Sequence, residues 1–122
     1  MKSNYLYINS RDELLRVELT SIVYFEADGN YTNVISSNGL KGLIGMNLAR
    51  MEKTIAATPK RKSVRFARIG KRYIINMGYI YQISPLAQTL VLSDQKSFSY
   101  DLAISKEALK KLKEIVVDSI EK

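Results

Sequence analysis

Short segments of alternating polarity, each closed by turn-forming residues, constrain the fold of this chain more than any other feature of its sequence. The segment IVYFE (Ile22 to Glu26) is apolar, β-branched and aromatic, and YTNVIS (Tyr31 to Ser36) follows it. Between them, Asp28-Gly29-Asn30 supplies residues that tolerate positive φ, so the two segments predict a hairpin. The same pattern predicts strands at residues 5–8, 13–19, 22–26, 31–36, 41–45, 64–69, 73–76, 79–83, 89–92 and 97–100.

Two segments have a helical period instead. The spacing of Leu48, Met51 and Ile55 predicts a short internal helix, with Asn47 as its N-cap. A second helix is predicted from about Ser105 to Ile120. The sequence therefore predicts a mostly β fold, built from layered short antiparallel sheets with one short internal helix and one C-terminal helix. The 122 residues suit a single domain spanning 1–122.

The chain contains neither cysteine nor histidine. Thiol catalysis, thiolate-bound zinc and every Ser-His or Cys-His nucleophile are therefore excluded. Glu26 and Asp28 are two apart and could be read as paired catalytic carboxylates, but Asp28 lies in the predicted turn and no partner base is available. We expect a protein that is not an enzyme, with no cofactor, no metal and no small-molecule substrate.

The positive charge is concentrated in one segment. The formal net charge is +7, and residues 50–72 hold nine basic side chains and one acidic side chain, while the remainder holds ten basic and eleven acidic ones. A polyanion is the natural partner of such a segment, because each neutralised phosphate releases condensed counterions. The alternative is a solvated basic face. No apolar run approaches the roughly 20 residues that cross a bilayer, and we expect a cytoplasmic protein.

Four segments, in order along the chain, carry a resemblance to a known family. They are SIVYFEADGNYTNVISSNG (Ser21 to Gly39), NLARMEKTI (Asn47 to Ile55), FARIGKRYIIN (Phe66 to Asn76) and ISKEALKKLKEI (Ile104 to Ile115). Together they resemble the LytTR-type DNA-binding domain of bacterial transcription regulators, in the response regulator family. The resemblance implies an elongated arrangement of short β-sheets that binds double-stranded DNA through loops at one edge rather than through a recognition helix.

The resemblance also implies three contact regions. The first is the hairpin loop, where Thr32 aligns with a base-contacting position; the region comprises Asn30, Tyr31, Thr32 and Asn33. The second is the loop holding Lys71 and Arg72, which would lie over a minor groove. The third is the start of the last helix, at Lys106. The first and third regions would enter successive major grooves. An alternative alignment puts Asp101-Leu102 at the third region, and we favour Ser105-Lys106 because an aspartate–leucine pair cannot donate to DNA.

Some of these residues also suit purely structural roles. Asn30 and Asn33 are suited to adenine edges, but they are equally suited to turn chemistry beside Gly29. Tyr31 is expected to pack on the sheet rather than to contact DNA. Arg68 either pins the sheet or binds phosphate, and we favour phosphate. Lys60-Arg61-Lys62 is expected to be a solvated loop.

Two other functions stay open at this point. One is a single-stranded nucleic-acid-binding module, although Tyr24, Phe25, Tyr73 and Phe98 lie in apolar contexts that suggest burial. The other is a protein-interaction module. The resemblance implies a homodimer on paired DNA repeats. The chain has no room for a receiver domain, so we expect it to work alone or under a separate sensor, such as a membrane protein.

Overall fold

The computed structural model describes residues 4–58 and 64–120, which form ten strands in three antiparallel sheets and two α-helices. The strands are β1 (Tyr5–Asn9), β2 (Leu14–Glu18), β3 (Ile22–Asp28), β4 (Tyr31–Ser36), β5 (Lys41–Ile44), β6 (Phe66–Ile69), β7 (Tyr73–Asn76), β8 (Ile80–Ser84), β9 (Thr89–Ser93) and β10 (Ser99–Ala103). The helices are α1 (Leu48–Ala57) and α2 (Lys106–Ile120). The predicted mostly β fold with two helices is confirmed.

The backbone divides into two compact units, the first ending at Gly78 and the second beginning at Tyr79. The first unit holds β1 to β7 and α1, and the second holds β8 to β10 and α2. The single domain expected for 1–122 stays a prediction. A fold made of short hairpins forms such units readily, because its contacts are mostly between neighbouring strands.

A five-stranded antiparallel sheet in the order β5-β4-β3-β7-β6 forms the centre of the first unit. Phe25 on β3 lies opposite Val34 on one side and Ile74 on the other, so the three side chains share one face of the sheet. All three are buried, together with Leu48 and Met51 of α1. Burial of this apolar face against α1 stabilises the unit, at roughly 25 cal/mol per Å² of apolar surface removed from water.

Helix α1 has the N-cap and the buried face that the sequence predicts. The Asn47 side chain accepts a hydrogen bond from the Arg50 backbone N–H at 2.9 Å, so Asn47 is the predicted N-cap. Leu48 and Met51 are buried on the face that packs against the sheet. The helix ends at Ala57, and Thr58 is extended because the next residue is proline.

The second unit contains a three-stranded antiparallel sheet in the order β10-β9-β8, with α2 in contact with β8. Leu90 and Leu92 alternate inward on β9, and Leu109 and Leu112 of α2 are buried. The C-terminal helix is confirmed, and the Ser105 hydroxyl accepts a 3.3 Å hydrogen bond from the Ala108 N–H in the predicted capping role.

The last strand differs from its prediction, 97–100, and is observed at Ser99–Ala103. Asp94 is the reason, because its carboxylate accepts hydrogen bonds from the N–H groups of Lys96, Ser97 and Phe98 and from the Ser97 hydroxyl. These bonds extend the turn after β9 through Phe98. They also hold the pKa of Asp94 well below its usual range, the Ser97 hydroxyl having the largest effect.

Candidate nucleic-acid interface

Two turns of the first unit lie side by side at one end of the five-stranded sheet. Strand β7 runs antiparallel to β3, with Tyr73 opposite Glu26, so the start of β7 adjoins the end of β3. The Ala27 N–H donates to the Arg72 carbonyl at 2.8 Å and continues this pairing beyond the strand. The β3–β4 turn (28–31) and the β6–β7 turn (70–72) therefore form one surface, which we call the turn edge. Both turns contain a glycine with φ near +60°, at Gly29 and Gly70.

The four predicted hairpin contacts separate into two exposed and two buried residues. Asn30 and Tyr31 are exposed at the turn edge. Thr32 is fully buried, and its hydroxyl donates to the Met46 carbonyl at 2.9 Å. Asn33 is also buried, and its amide lies 3.4 Å from the Asp28 carboxylate. The base contact expected from Thr32 is therefore not available at the surface, because the register of β4 directs that side chain to the α1 side of the sheet, opposite Ile44.

Arg68 fastens the β6–β7 turn. Its Nε donates to the Gly70 carbonyl and its Nη2 to the Lys71 carbonyl, both at 3.2 Å. Its Nη1 forms a 3.0 Å ion pair with Glu52 of α1. All three guanidinium nitrogens are therefore engaged within the protein, which favours the pinning role over the phosphate contact. The neighbouring Lys71 is exposed.

Arg72 is exposed at the turn edge, and two groups of the sheet contact its guanidinium. Its Nη2 lies 2.9 Å from Oε2 of Glu26, and the exposed fractions of the two side chains are 62% and 24% respectively. Its guanidinium carbon lies 5.4 Å from the centre of the Tyr73 ring, within the range of a cation–π contact. The exposed guanidinium of Arg72 is thus contacted by the Glu26 carboxylate and the Tyr73 ring.

Tyr73 stabilises the carboxylate of this pair. Burial raises the pKa of the Tyr73 hydroxyl, and the Glu26 carboxylate, to which that hydroxyl is hydrogen-bonded, raises it further; Arg72 opposes this shift in part. The raised pKa keeps the hydroxyl protonated beside the Glu26 carboxylate.

Among the described residues of the basic segment, the cations do not all lie at the turn edge. Lys71 and Arg72 lie at the turn edge, but Arg65 precedes β6 at the opposite end of the sheet, where its carbonyl accepts from the Met77 N–H. Arg50 and Lys53 are exposed on α1. Lys60-Arg61-Lys62 lies outside the described residues. A cluster in sequence becomes dispersed here because a strand four residues long separates its members by about 13 Å.

Comparison with known proteins decides the family. The family model of the LytTr DNA-binding domain matches residues 12–116 of the chain. The chain belongs to the LytTr DNA-binding domain family. Among solved structures, it is similar to one described as the LytTr DNA-binding domain of a methyl-accepting/DNA response regulator from Bacillus cereus, with 20% sequence identity and a TM-score of 0.62. That match covers 94% of this chain and 98% of the other. No curated protein matches.

The third predicted region of this LytTr domain lies in the second unit. Lys106 is the first residue of α2 and is half-buried, lining a groove with Pro85 and Leu86 of the β8–β9 turn. Asp101 and Leu102 lie within β10, and Leu102 is buried. The start of the helix therefore coincides with Ser105-Lys106, the alignment that we favoured, rather than with the aspartate–leucine pair.

Sequence reasoning missed the partners that orient the two arginines of this LytTr domain. Glu26 was considered as a catalytic carboxylate, and it instead pairs with Arg72, 46 residues later. Glu52 was counted as one acidic exception in a basic segment, and it pairs with Arg68. The alternation of residues along β3 and β7 gives no information about which strands are neighbours, so neither pair could be predicted from spacing.

Two further observations concern other kinds of site. Within residues 4–58 and 64–120, no group of three or more acidic side chains is placed to hold a metal ion. Over the same part of the chain, neither helix is long and apolar enough to span a membrane.

Proposed function

We propose that this LytTr domain is a bacterial transcription regulator that binds double-stranded DNA with sequence preference. The observation that carries the proposal is the turn edge, where two turns joined by a backbone hydrogen bond present Lys71 and Arg72 outward. Arginine and lysine are the residues best suited to both phosphate and guanine-edge contacts. The proposed contact residues are Asn30, Tyr31, Lys71, Arg72 and, from the second unit, Lys106. Such a regulator acts in the cytoplasm, where bacterial DNA lies.

Three residues from the sequence-based set have supporting roles in this proposal. Thr32 connects β4 to the segment that precedes α1, and Asn33 approaches Asp28 across the hairpin. Arg68 shapes the turn that carries Lys71. Each of them affects DNA binding through the shape of the turn edge rather than through a contact with DNA.

The positions of the exposed aromatic residues favour a duplex over a single strand as the ligand. A platform for single strands needs aromatic rings in succession on one sheet face. The exposed tyrosines of the described residues are Tyr7, Tyr31 and Tyr81, and they lie on β1, β4 and β8, which belong to three different sheets. Tyr24 and Tyr73 are buried. These exposed tyrosines therefore form no such platform, and the partly exposed Tyr79, Phe98 and Tyr100 pack against one another.

The test is selection of binding sites from a pool of random duplexes, followed by fluorescence polarisation. We call the enriched sequence the selected duplex and a shuffled version of it the scrambled duplex. We expect the protein to bind the selected duplex on the order of a thousandfold more tightly at physiological salt. Equal affinity for the two would refute sequence preference, and tighter binding of the corresponding single strand would replace the proposal with the single-strand alternative.

We further propose that two copies of the domain occupy paired repeats in the target, and that a separate sensor protein controls it. The support is the family resemblance alone. Sedimentation velocity with a duplex carrying one or two copies of the selected sequence measures the stoichiometry. One protein bound to the two-copy duplex at saturation would contradict the pairing.

A further inference from the structure

We infer that Glu26 is a positioning residue that acts through Arg72 and sets the discrimination between specific and non-specific DNA. The inference rests on the proposed function and deepens it. It assigns the ability to reject wrong sequences to an acidic side chain that would not itself contact DNA.

The carboxylate of Glu26 cannot easily move away from Arg72. Glu26 lies on β3, the central strand of the five-stranded sheet, where it is opposite Tyr73 on one side and Asn33 on the other. The Tyr73 side chain lies next to it across the strand pair, and the Glu26 carboxylate raises the pKa of the Tyr73 hydroxyl. The Ala27 N–H holds the Arg72 carbonyl at 2.8 Å, so the backbone of Arg72 is fixed relative to the backbone beside Glu26. Both ends of the ion pair are therefore anchored in the same sheet.

This anchoring changes what Arg72 offers to DNA. A free arginine is a mobile cation that gains from any nearby phosphate. Here Glu26 compensates the charge at 2.9 Å, so a phosphate in an arbitrary position gains less. The remaining N–H donors of the planar guanidinium keep a fixed direction over the Tyr73 ring, and they lose little entropy when they meet an acceptor in the matching position. Non-specific attraction falls, while a geometrically matched contact is retained.

The experiment compares wild type and Glu26→Gln on the selected and the scrambled duplex. Glutamine keeps the shape of the side chain and removes its charge. We expect the variant to bind the scrambled duplex about three- to tenfold more tightly and the selected duplex no more than about twofold more tightly. The ratio of the two affinities should therefore fall. The log–log salt slope on the scrambled duplex should steepen by about one, because Arg72 becomes free to neutralise a phosphate.

A matched control separates this effect from a change of net charge. Glu18→Gln removes the same charge from an exposed residue of β2, which precedes the start of β3. The two ends of β3 lie about 20 Å apart, so Glu18 is remote from the turn edge. We expect Glu18→Gln to leave the affinity ratio unchanged within twofold. An equal fall of the ratio in both variants would overturn the inference.

A second background separates positioning from plain repulsion between Glu26 and DNA. If Glu26 acts through Arg72, adding Glu26→Gln to an Arg72→Ala protein should leave the affinity ratio of that protein unchanged. If Glu26 simply repels phosphates, the substitution should tighten non-specific binding in both backgrounds, and the inference fails. Tyr73→Phe removes the hydroxyl but keeps the ring, and it should lower the affinity ratio by a smaller factor than Glu26→Gln. If thermal unfolding shows that Glu26→Gln does not fold, Tyr73→Phe takes its place as the test.

The outcomes distinguish this inference from the proposed function. A wild-type protein that does not discriminate between the selected and scrambled duplexes refutes the proposed function, and with it the inference. A wild-type protein that discriminates, with a ratio that neither Glu26→Gln nor Tyr73→Phe lowers, refutes the inference alone.

Discussion

The two units of this LytTr domain are built from the same kind of short antiparallel hairpins, yet their charges differ completely. Residues 1–78 contain thirteen basic and six acidic side chains, and residues 79–122 contain six of each. The whole net charge of +7 therefore belongs to the first unit. Since both units fold into antiparallel sheets, the difference teaches that this kind of fold does not require the positive charge.

The order of charges along α2 in the second unit supports the same conclusion. The lysines lie in its first half, at positions 106, 110, 111 and 113, together with Glu107 in the first turn, whereas Glu114 and Asp118 lie in its second half. The helix macrodipole favours the reverse order, by about 0.3–1 kcal/mol for each charge near an end. Glu107 follows this preference, whereas Lys106 at the first position does not. This placement is consistent with a contact made at the start of α2.

The largest expected effect tests whether the charge of the first unit does the binding. Replacing both Lys71 and Arg72 by alanine should weaken binding of the selected duplex by on the order of 100-fold, since each lost contact costs about 1–3 kcal/mol. The matched variant replaces Lys110 and Lys113 of α2, which removes the same charge from the second unit, and should cost no more than about threefold. Fluorescence polarisation at one fixed salt concentration measures both. Equal losses would break the comparison between the units.

The next prediction concerns Arg68, for which a phosphate contact and a structural role lead to different results. Arg68→Ala should weaken binding of the selected duplex about tenfold by releasing the turn that carries Lys71, with no change in the salt slope. It should also lower the free energy of unfolding by about 1–2 kcal/mol through loss of two carbonyl hydrogen bonds, the exposed pair with Glu52 adding little. Arg68→Lys should not rescue either, because one ammonium cannot replace the fork. A salt slope reduced by about 0.9 would instead indicate that Arg68 contacts a phosphate.

A smaller effect is expected in the second unit. Lys106→Ala should weaken binding of the selected duplex about three- to fivefold and reduce the salt slope by about one. Lys111→Ala, on the exposed surface of the same helix, is the control and should change neither value. Equal effects of the two variants would refute the proposed contact at the start of α2. The second unit would then have no described role in binding.

The smallest effect concerns stability rather than binding. The Ser97 hydroxyl and nearby backbone N–H groups hold the pKa of Asp94 below its unfolded value of about 3.9. Because the folded state favours the carboxylate, the stability from this turn is fully present above pH 4 and is lost as the pH falls below it. Asp94→Asn should lower the melting temperature at pH 7 and flatten its dependence on pH between about 4 and 2. A variant with an unchanged pH profile would show that the turn does not stabilise the second unit.

The sequence predicted the elements well and their neighbours poorly, for a physical reason. Periodicity and caps report local structure, so the strand from Tyr31 to Ser36 and the cap at Asn47 were predicted correctly. The last strand was shifted because the turn before it is built by a side chain, Asp94, that competes with the sheet ladder.

The candidate site was predicted in the same uneven way. Lys71 and Arg72 were found through the resemblance and do lie at the exposed turn edge. Thr32 was expected at the surface, but the register of a hairpin decides which face a residue takes, and a shift by one residue reverses it. The ion pair between Glu26 and Arg72 depends on β3 lying beside β7, and no local pattern encodes that adjacency.

Both turns of the turn edge are attached to one helical segment. Thr32, on the first turn's side, donates to the carbonyl of Met46 just before α1, and Arg68, behind the second turn, pairs with Glu52 within α1. The α1 segment therefore contacts residues that flank both turns, although the two turns are far apart in sequence. A small tilt of α1 would therefore act on both turns at once, without a change at any residue of the outer surface.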